Sequence, residues 1–171
     1  MSFRLIGGPE GGSVRLSPYR AEWAERFAVE RERIAAALGP AAERIEHVGS
    51  TSVPGLDAKP IVDILVAVAD PTDPRACEAL EAAGYVLRVD EPEHRMFRTP
   101  ERDVHVHLWV SGTEDVTRHV EFRDRLRASE ADRQAYSELK HELAGREWAD
   151  INDYADAKGT LIAEILERPP R

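Results

Sequence analysis

RIEHVGSTSVPGLDAKPIVDILVAV, Arg44 to Val68, is the stretch whose reading decides the fold class. It divides into an apolar strand ending at Val48, a turn of small and hydroxyl residues, and a second strand opened by Pro60. Gly49-Ser50-Thr51-Ser52 offers backbone N–H groups and hydroxyls with little side-chain bulk, which suits a phosphate. The plainer use of such a turn is to satisfy its own backbone. Pro54 and Gly55 reverse the chain, Lys59 supplies a cation, and Asp63 is the only charge in IVDILVAV. A lone carboxylate in a buried strand is costly unless it is paired, protonated or bound to metal. In an extended Pro60–Val68, Asp63 shares a face with Ile61, Leu65 and Ala67, and Val62, Ile64, Val66 and Val68 take the other. Asp63 is therefore a candidate metal ligand or general base; the alternative is a carboxylate paired with Arg or His, or capping the turn.

Downstream, VHVHLWV (Val104 to Val110) puts His105 and His107 on one strand face, where two imidazoles can serve as metal ligands, phosphate partners or acid–base groups; the commoner use of such a pair is the exposed polar face of a strand. Upstream, Glu46 and His47 lie on opposite strand faces; His47 has the parity of Gly49 and is expected to support the site from behind, touching phosphate or pairing with Asp63. Val14–Leu16 reads as a short strand, and Ser17-Pro18 as the cap and first residue of a helix that buries Trp23, Phe27, Ile34 and Leu38 before Gly39-Pro40. Arg75–Ala83 is a second helix closed by Gly84. Strands over Tyr85–Val89, Met96–Thr99 and Val104–Val110 make a meander, and the periodicity from Glu114 predicts three helices ending at Pro169-Pro170. Val116, Val120, Arg123 and Leu126 share a face of the first. This order of elements argues for α+β with a small mixed sheet and a helical C-terminal tail.

The chain has 171 residues, the size of one domain, with residues 1–12 read as a mobile arm. Its 32 acidic and 23 basic side chains give a net charge of −9, which argues against an extended nucleic-acid groove and leaves room for a local cationic pocket. Cys77 is the single cysteine and reads as a packed thiol, in keeping with a reducing cytoplasm. No signal-like or membrane-spanning run is visible, so a soluble cytoplasmic protein is expected, its oligomeric state left open.

The string EHVGSTSVPGLDAKPIVDI, Glu46 to Ile64, resembles the signature of the GrpB-like proteins, which are grouped with the nucleotidyltransferase fold. That resemblance implies a nucleotidyltransferase-like sheet, with Gly49 and Ser50 holding nucleotide phosphates and Asp63 holding a divalent metal, Mg²⁺. The superfamily's acidic pair is spaced D-x-D or D-x-E, and the partner position here is Leu65. A histidine of VHVHLWV then stands where the third carboxylate is expected, His107 being the more regular of the two in the GrpB-like pattern. The tail also resembles the family in Phe122–Arg127, in Tyr136-x-x-x-Lys140 and in Tyr154-x-x-x-Lys158. Arg123 and Lys140 are the expected phosphate partners there, beside Gly49, Ser50, Thr51, Ser52 and Lys59; the plainer account of the tail puts its tyrosines in the core, its lysines in solvent and Arg123 in a pair with Asp124 or Glu121. The implied activity is transfer of a nucleotidyl group from a nucleoside triphosphate to a small-molecule acceptor. Leu65 supports an alternative, a non-catalytic nucleotide- or anion-binding accessory module. A third reading makes Asp63, His105 and His107 a metal site without nucleotide.

Overall fold

The computed structural model describes residues 4–169; Met1 to Phe3 of the expected arm and Pro170 at the expected end of the tail lie outside them. In chain order they form β1 (Arg4–Leu5), β2 (Gly12–Ser13), α1 (Glu22–Leu38), β3 (Arg44–Val48), β4 (Val62–Val68) and α2 (Pro74–Ala82). There follow β5 (Val86–Asp90), β6 (His94–Arg98), β7 (Val104–Val110), α3 (Glu114–Ala128), α4 (Glu130–Ala144), β8 (Glu147–Trp148), α5 (Ile151–Asp156) and α6 (Gly159–Glu167). The main sheet has the order β1-β5-β6-β7-β4-β3, and β2 pairs with β8 separately. β4 and β7 run parallel while the other neighbours are antiparallel, so the architecture is α+β with a mixed sheet and a helical tail.

Alternation along β4 and β7 determines what covers each face. Val62, Ile64, Val66 and Val68 of β4 join Val104, Val106 and Leu108 of β7 in one buried cluster. Trp23, Ile34 and Leu38 from α1 and Ala76, Cys77 and Leu80 from α2 close over it, with Phe27 partly buried at its margin. Each such aliphatic side chain contributes about 1.5–3 kcal/mol by leaving water. On the opposite face Val48, Leu65 and Ala67 meet Val116 and Val120 of α3. A third cluster, with Val53, Leu56, Leu126, Tyr136 and Ile165, ties the tail to the segment that follows the hydroxyl-rich turn.

Several sequence expectations need correction. The strand expected over Val14–Leu16 falls one step earlier, at Gly12–Ser13 paired with Glu147–Trp148, and Val14 instead packs with Leu143 and Tyr154. Ser17 is not a helix cap: it exchanges backbone hydrogen bonds of 2.8 and 2.9 Å with Ala58, which holds it extended, and α1 begins at Glu22. The expected arm is tied down over its described part. Arg4 and Leu5 pair with Asp90 and Val89 at the sheet edge, and the Glu10 carboxylate accepts two bonds of 3.0 Å from Arg98. The third tail helix is two, because the chain turns at Ala157 and Lys158 before Gly159, the poorest helix former after proline, starts α6. No helix among the described residues is long and apolar enough to cross a membrane.

Candidate functional site

The parallel register sets Asp63 of β4 beside His105 of β7, and Leu65 beside His107. All four point to the α3 side of the sheet. His107 continues a row that crosses the sheet: Met96 is its partner on β6, Val89 is Met96's on β5, and Leu5 is Val89's on β1. α3 covers only the Leu65 end of that row. The rest floors a cavity of about 620 Å³ lined by Leu5, Val89, Met96, Asp63, His105 and His107, with Ser50, Thr51 and Lys59 beside them. The tail forms the opposite wall through Lys140 of α4, residues of α5 including Tyr154, and Lys158.

Asp63 Oδ1 lies 3.3 Å from His107 Nε2 and 3.5 Å from His105 Nδ1. Burial pushes the Asp63 carboxyl up, but the neighbouring His105 and His107 outweigh it and hold the group well below the usual carboxylate range. Behind His107 stands a chain of polar groups. His107 Nδ1 is 3.0 Å from His94 Nε2, and His94 Nδ1 is 2.8 Å from Glu91 Oε2. The His94 ring stacks on Trp109 with centroids 4.0 Å apart. Burial, then the neighbouring His107 and His119, pushes the His94 imidazole down to about 3, so it is neutral near pH 7.

Gly49 sets the turn against Asp63. Its φ of 71° and ψ of −177° belong to a region open essentially to glycine alone. A Cβ built there would sit 2.7 Å from Asp63 Oδ2 and 3.1 Å from Asp63 Cβ. The hydroxyls beyond it are largely spent: Thr51 Oγ1 donates to Ile61 O at 3.1 Å, and Ser52 Oγ donates to Gly49 O. Arg127 fastens the same turn by donating to Ser52 O at 2.9 and 2.7 Å.

Cations gather on the tail wall. Lys140 is 2 % exposed, lies 5.3 Å from the Tyr136 ring centroid and donates to Asp57 O. An ammonium has three donors, so two remain. Burial, reinforced by Lys158, pushes Lys140 down to about 7. Lys158 sits 4.3 Å over the Tyr154 ring and is pushed down by burial to about 8, Lys59 adding to the fall while Asp63 opposes it. Lys59 is also lowered, by burial against the pull of Asp63.

The family model described as GrpB protein matches residues 13–168. The chain belongs to the GrpB family. It is 53% identical over 165 residues to a UPF0157 protein of Streptomyces coelicolor, covering 96% of this chain and 88% of that protein. To a UPF0157 protein of Halalkalibacterium halodurans it is 44% identical over 164 residues, covering 94% and 84%. The crystal structure of GrpB from Enterococcus faecalis matches with a TM-score of 0.77 at 33% identity, over 90% of this chain and 95% of that one.

Within this GrpB fold, the expected site residues Ser50, Thr51, Lys59, Asp63, His105, His107 and Lys140 all line one cavity, and Gly49 abuts Asp63. Three others are placed elsewhere. Ser52 is buried with its hydroxyl turned to Gly49 O, so it is not a phosphate donor. Arg123 is not at the cavity either: it donates to Glu46 at 2.6 Å, Asp124 at 2.8 Å and His47 O at 3.0 Å, because its helix position faces β3. His47 pairs with Ile64 across the strands and therefore faces α1, where it stacks on Phe27 with centroids 4.9 Å apart. It supports the turn through Thr51 Oγ1 at 3.0 Å instead of touching Asp63, and burial pushes its imidazole down to about 4. Glu91 and His94 escaped the sequence reading, which noted Lys158 in the tail without counting it among the phosphate partners. The hairpin register carries the signal for His94, whose parity matches Met96 opposite His107; the Tyr154-x-x-x-Lys158 spacing carries the signal for Lys158.

Proposed function

We propose that this GrpB-family chain is a phosphate-handling enzyme of nucleotidyltransferase type, which takes a nucleoside triphosphate and passes its nucleotidyl group to a small-molecule acceptor. The observation that carries this reading is the gathering of Lys59, Lys140, Lys158 and Ser50 in the same cavity as Asp63, in a chain whose net charge is −9. Three ammonium groups brought together out of water repel one another, and a polyphosphate relieves that cost. In this reading Asp63, fixed against the Gly49 turn, orients the acceptor hydroxyl or amine. The apolar row Leu5, Val89 and Met96 gives the uncharged part of either substrate a surface.

Magnesium as a resident cofactor does not suit this site. Mg²⁺ takes oxygen ligands, whereas Asp63 is joined by two imidazoles, and the position of the second carboxylate is Leu65, fully buried under α3. Mg²⁺ is accordingly assigned to the substrate, as the nucleotide's own counter-ion. The buried Leu65 is also what favours the second reading, a nucleotide-binding module without catalysis.

The test is a thermal-shift panel of the four ribonucleoside triphosphates, coenzyme A and pyrophosphate, each with Mg²⁺ or chelator, followed by assay of pyrophosphate release. A ligand at about 100 times its Kd adds roughly 2.7 kcal/mol, a rise of roughly 5–10 °C for a chain of this size. The transferase reading expects a Mg²⁺-dependent rise, lost in Lys158→Ala, with slow pyrophosphate release to water. An equal rise in chelator without release supports the module, and no rise with any triphosphate removes both.

A further inference from the structure

Glu91, His94 and His107 form a hydrogen-bonded chain that ends at Asp63. An ionised carboxylate accepts and does not donate, so the 2.8 Å contact to Glu91 Oε2 requires the proton on His94 Nδ1. A neutral imidazole so protonated has a bare Nε2, which then accepts from His107 Nδ1 at 3.0 Å. His107 is left with its lone pair on Nε2, and that atom faces Asp63 Oδ1 at 3.3 Å. Two acceptors are thus aimed at each other, with His105 Nδ1 a further 3.5 Å from the same oxygen. The arrangement lacks a positive centre among the three.

We propose that Asp63 Oδ1, His105 Nδ1 and His107 Nε2 form a binding site for a first-row transition cation of the Zn²⁺, Mn²⁺ or Co²⁺ class, with Glu91 and His94 as the positioning pair that fixes the His107 tautomer. The spacing suits it. Ligands about 2.0–2.1 Å from a tetrahedral metal stand about 3.3 Å apart, against 3.3 and 3.5 Å here, and all three atoms lie within 4.8 Å of one another. The donor types choose the metal: two imidazoles and one carboxylate select a borderline transition ion over Mg²⁺, which prefers oxygen. Passage of a second-ring N–H to a partner, here His94 and through it Glu91, is how metal-bound histidines are ordinarily oriented. Trp109, stacked on His94, holds that ring in the plane the relay needs. The open side of the cavity leaves further coordination positions to solvent or substrate.

The experiment is titration of the metal-stripped full chain with Co²⁺, Zn²⁺, Mn²⁺ and Mg²⁺, without nucleotide, read by calorimetry and, for Co²⁺, by the visible ligand-field bands. The expected result is one Co²⁺ per chain with an imidazole-type spectrum, and Mg²⁺ weaker by at least about a hundredfold. His107→Ala and Asp63→Asn abolish the bands. His94→Phe, which keeps the stack on Trp109, lowers metal affinity about 10–100-fold while the melting temperature of the metal-free protein stays near that of the parent. Glu91→Gln gives a smaller loss in the same direction and serves if His94→Phe does not fold. Equal affinity for Mg²⁺ and Co²⁺, or an unchanged Co²⁺ affinity in both positioning variants, overturns the proposal. Failure of the transferase reading is separately visible, because a chain that takes Co²⁺ but no triphosphate keeps this site and loses that activity.

Discussion

The two faces of the central sheet use the same strands for opposite ends. On the face toward α1 and α2, Val62, Ile64, Val66, Val104, Val106 and Leu108 are all 2 % exposed or less. On the other, Asp63, His105 and His107 keep 31, 22 and 25 % of their side chains accessible. Period-two alternation lets one segment supply a closed core and the open floor of a polar cavity without compromise. The lesson is that the apolar run IVDILVAV is tolerant of a charge only because one of its faces was never wholly core.

Changes that confuse the two faces should have the largest effects. Leu65→Asp restores the acidic pair typical of the superfamily, yet Leu65 is fully buried against Val116 and Val120. Denaturant unfolding should show a loss of several kcal/mol, since the new carboxylate is buried and the nearby Arg123 already pairs with Glu46, the cross-strand partner of Leu65; a stable variant would place Leu65 at the cavity. Ile64→Ala, on the closed face, should cost about 2–5 kcal/mol with ligand affinity per folded molecule unchanged. Gly49→Ala should cost about 1–3 kcal/mol from backbone strain and, by displacing Asp63, also abolish ligand and metal binding in titrations. A wild-type binding curve in that variant would show the turn to be mere scaffold.

The lysines sharpen the contrast through pH. Lys140 and Lys158 are pushed down to about 7 and about 8 chiefly by burial. Above those values, and up to the ordinary lysine range, the unfolded chain holds more protons than the folded one, so the stability of the free protein rises with pH. Triphosphate affinity should run the opposite way, falling as the two ammonium groups lose their protons above about pH 7–8. Parallel slopes in melting temperature and affinity would disconnect the lysines from the ligand. The smallest effect is expected on the closed face, where His47, pushed down to about 4, stays neutral. Its contribution is complete above about 6.5 and is lost as pH falls through about 4, and His47→Phe should remove that acid-side slope in melting curves.

The alternation in β4 and β7, the turn at Gly49 and the meander were legible because they are local patterns. Asp63, Lys59 and His107 were legible for the same reason: each departs from a pattern that its neighbours set. What escaped depended on pairing between distant segments. Arg123 shares a helix face with Val116, Val120 and Leu126, and only the placement of α3 against β3 shows that Glu46 waits there as its partner. His94 gains its role from a hairpin register, and Lys158 from a break in a periodicity that Tyr154, Leu161 and Ile165 otherwise carry through without interruption.

That break near the end of the chain bears on the order in which the protein is made. All six strands of the main sheet have left the ribosome once Val110 has emerged, but Lys140 and Lys158 follow later. A chain that ends at Val110 contains Asp63, His105, His107, Lys59 and the apolar row, and lacks Lys140 and Lys158 of the opposite wall. Under the proposed function, a polyanion held by these lysines clamps the tail against the sheet instead of guiding formation of the sheet.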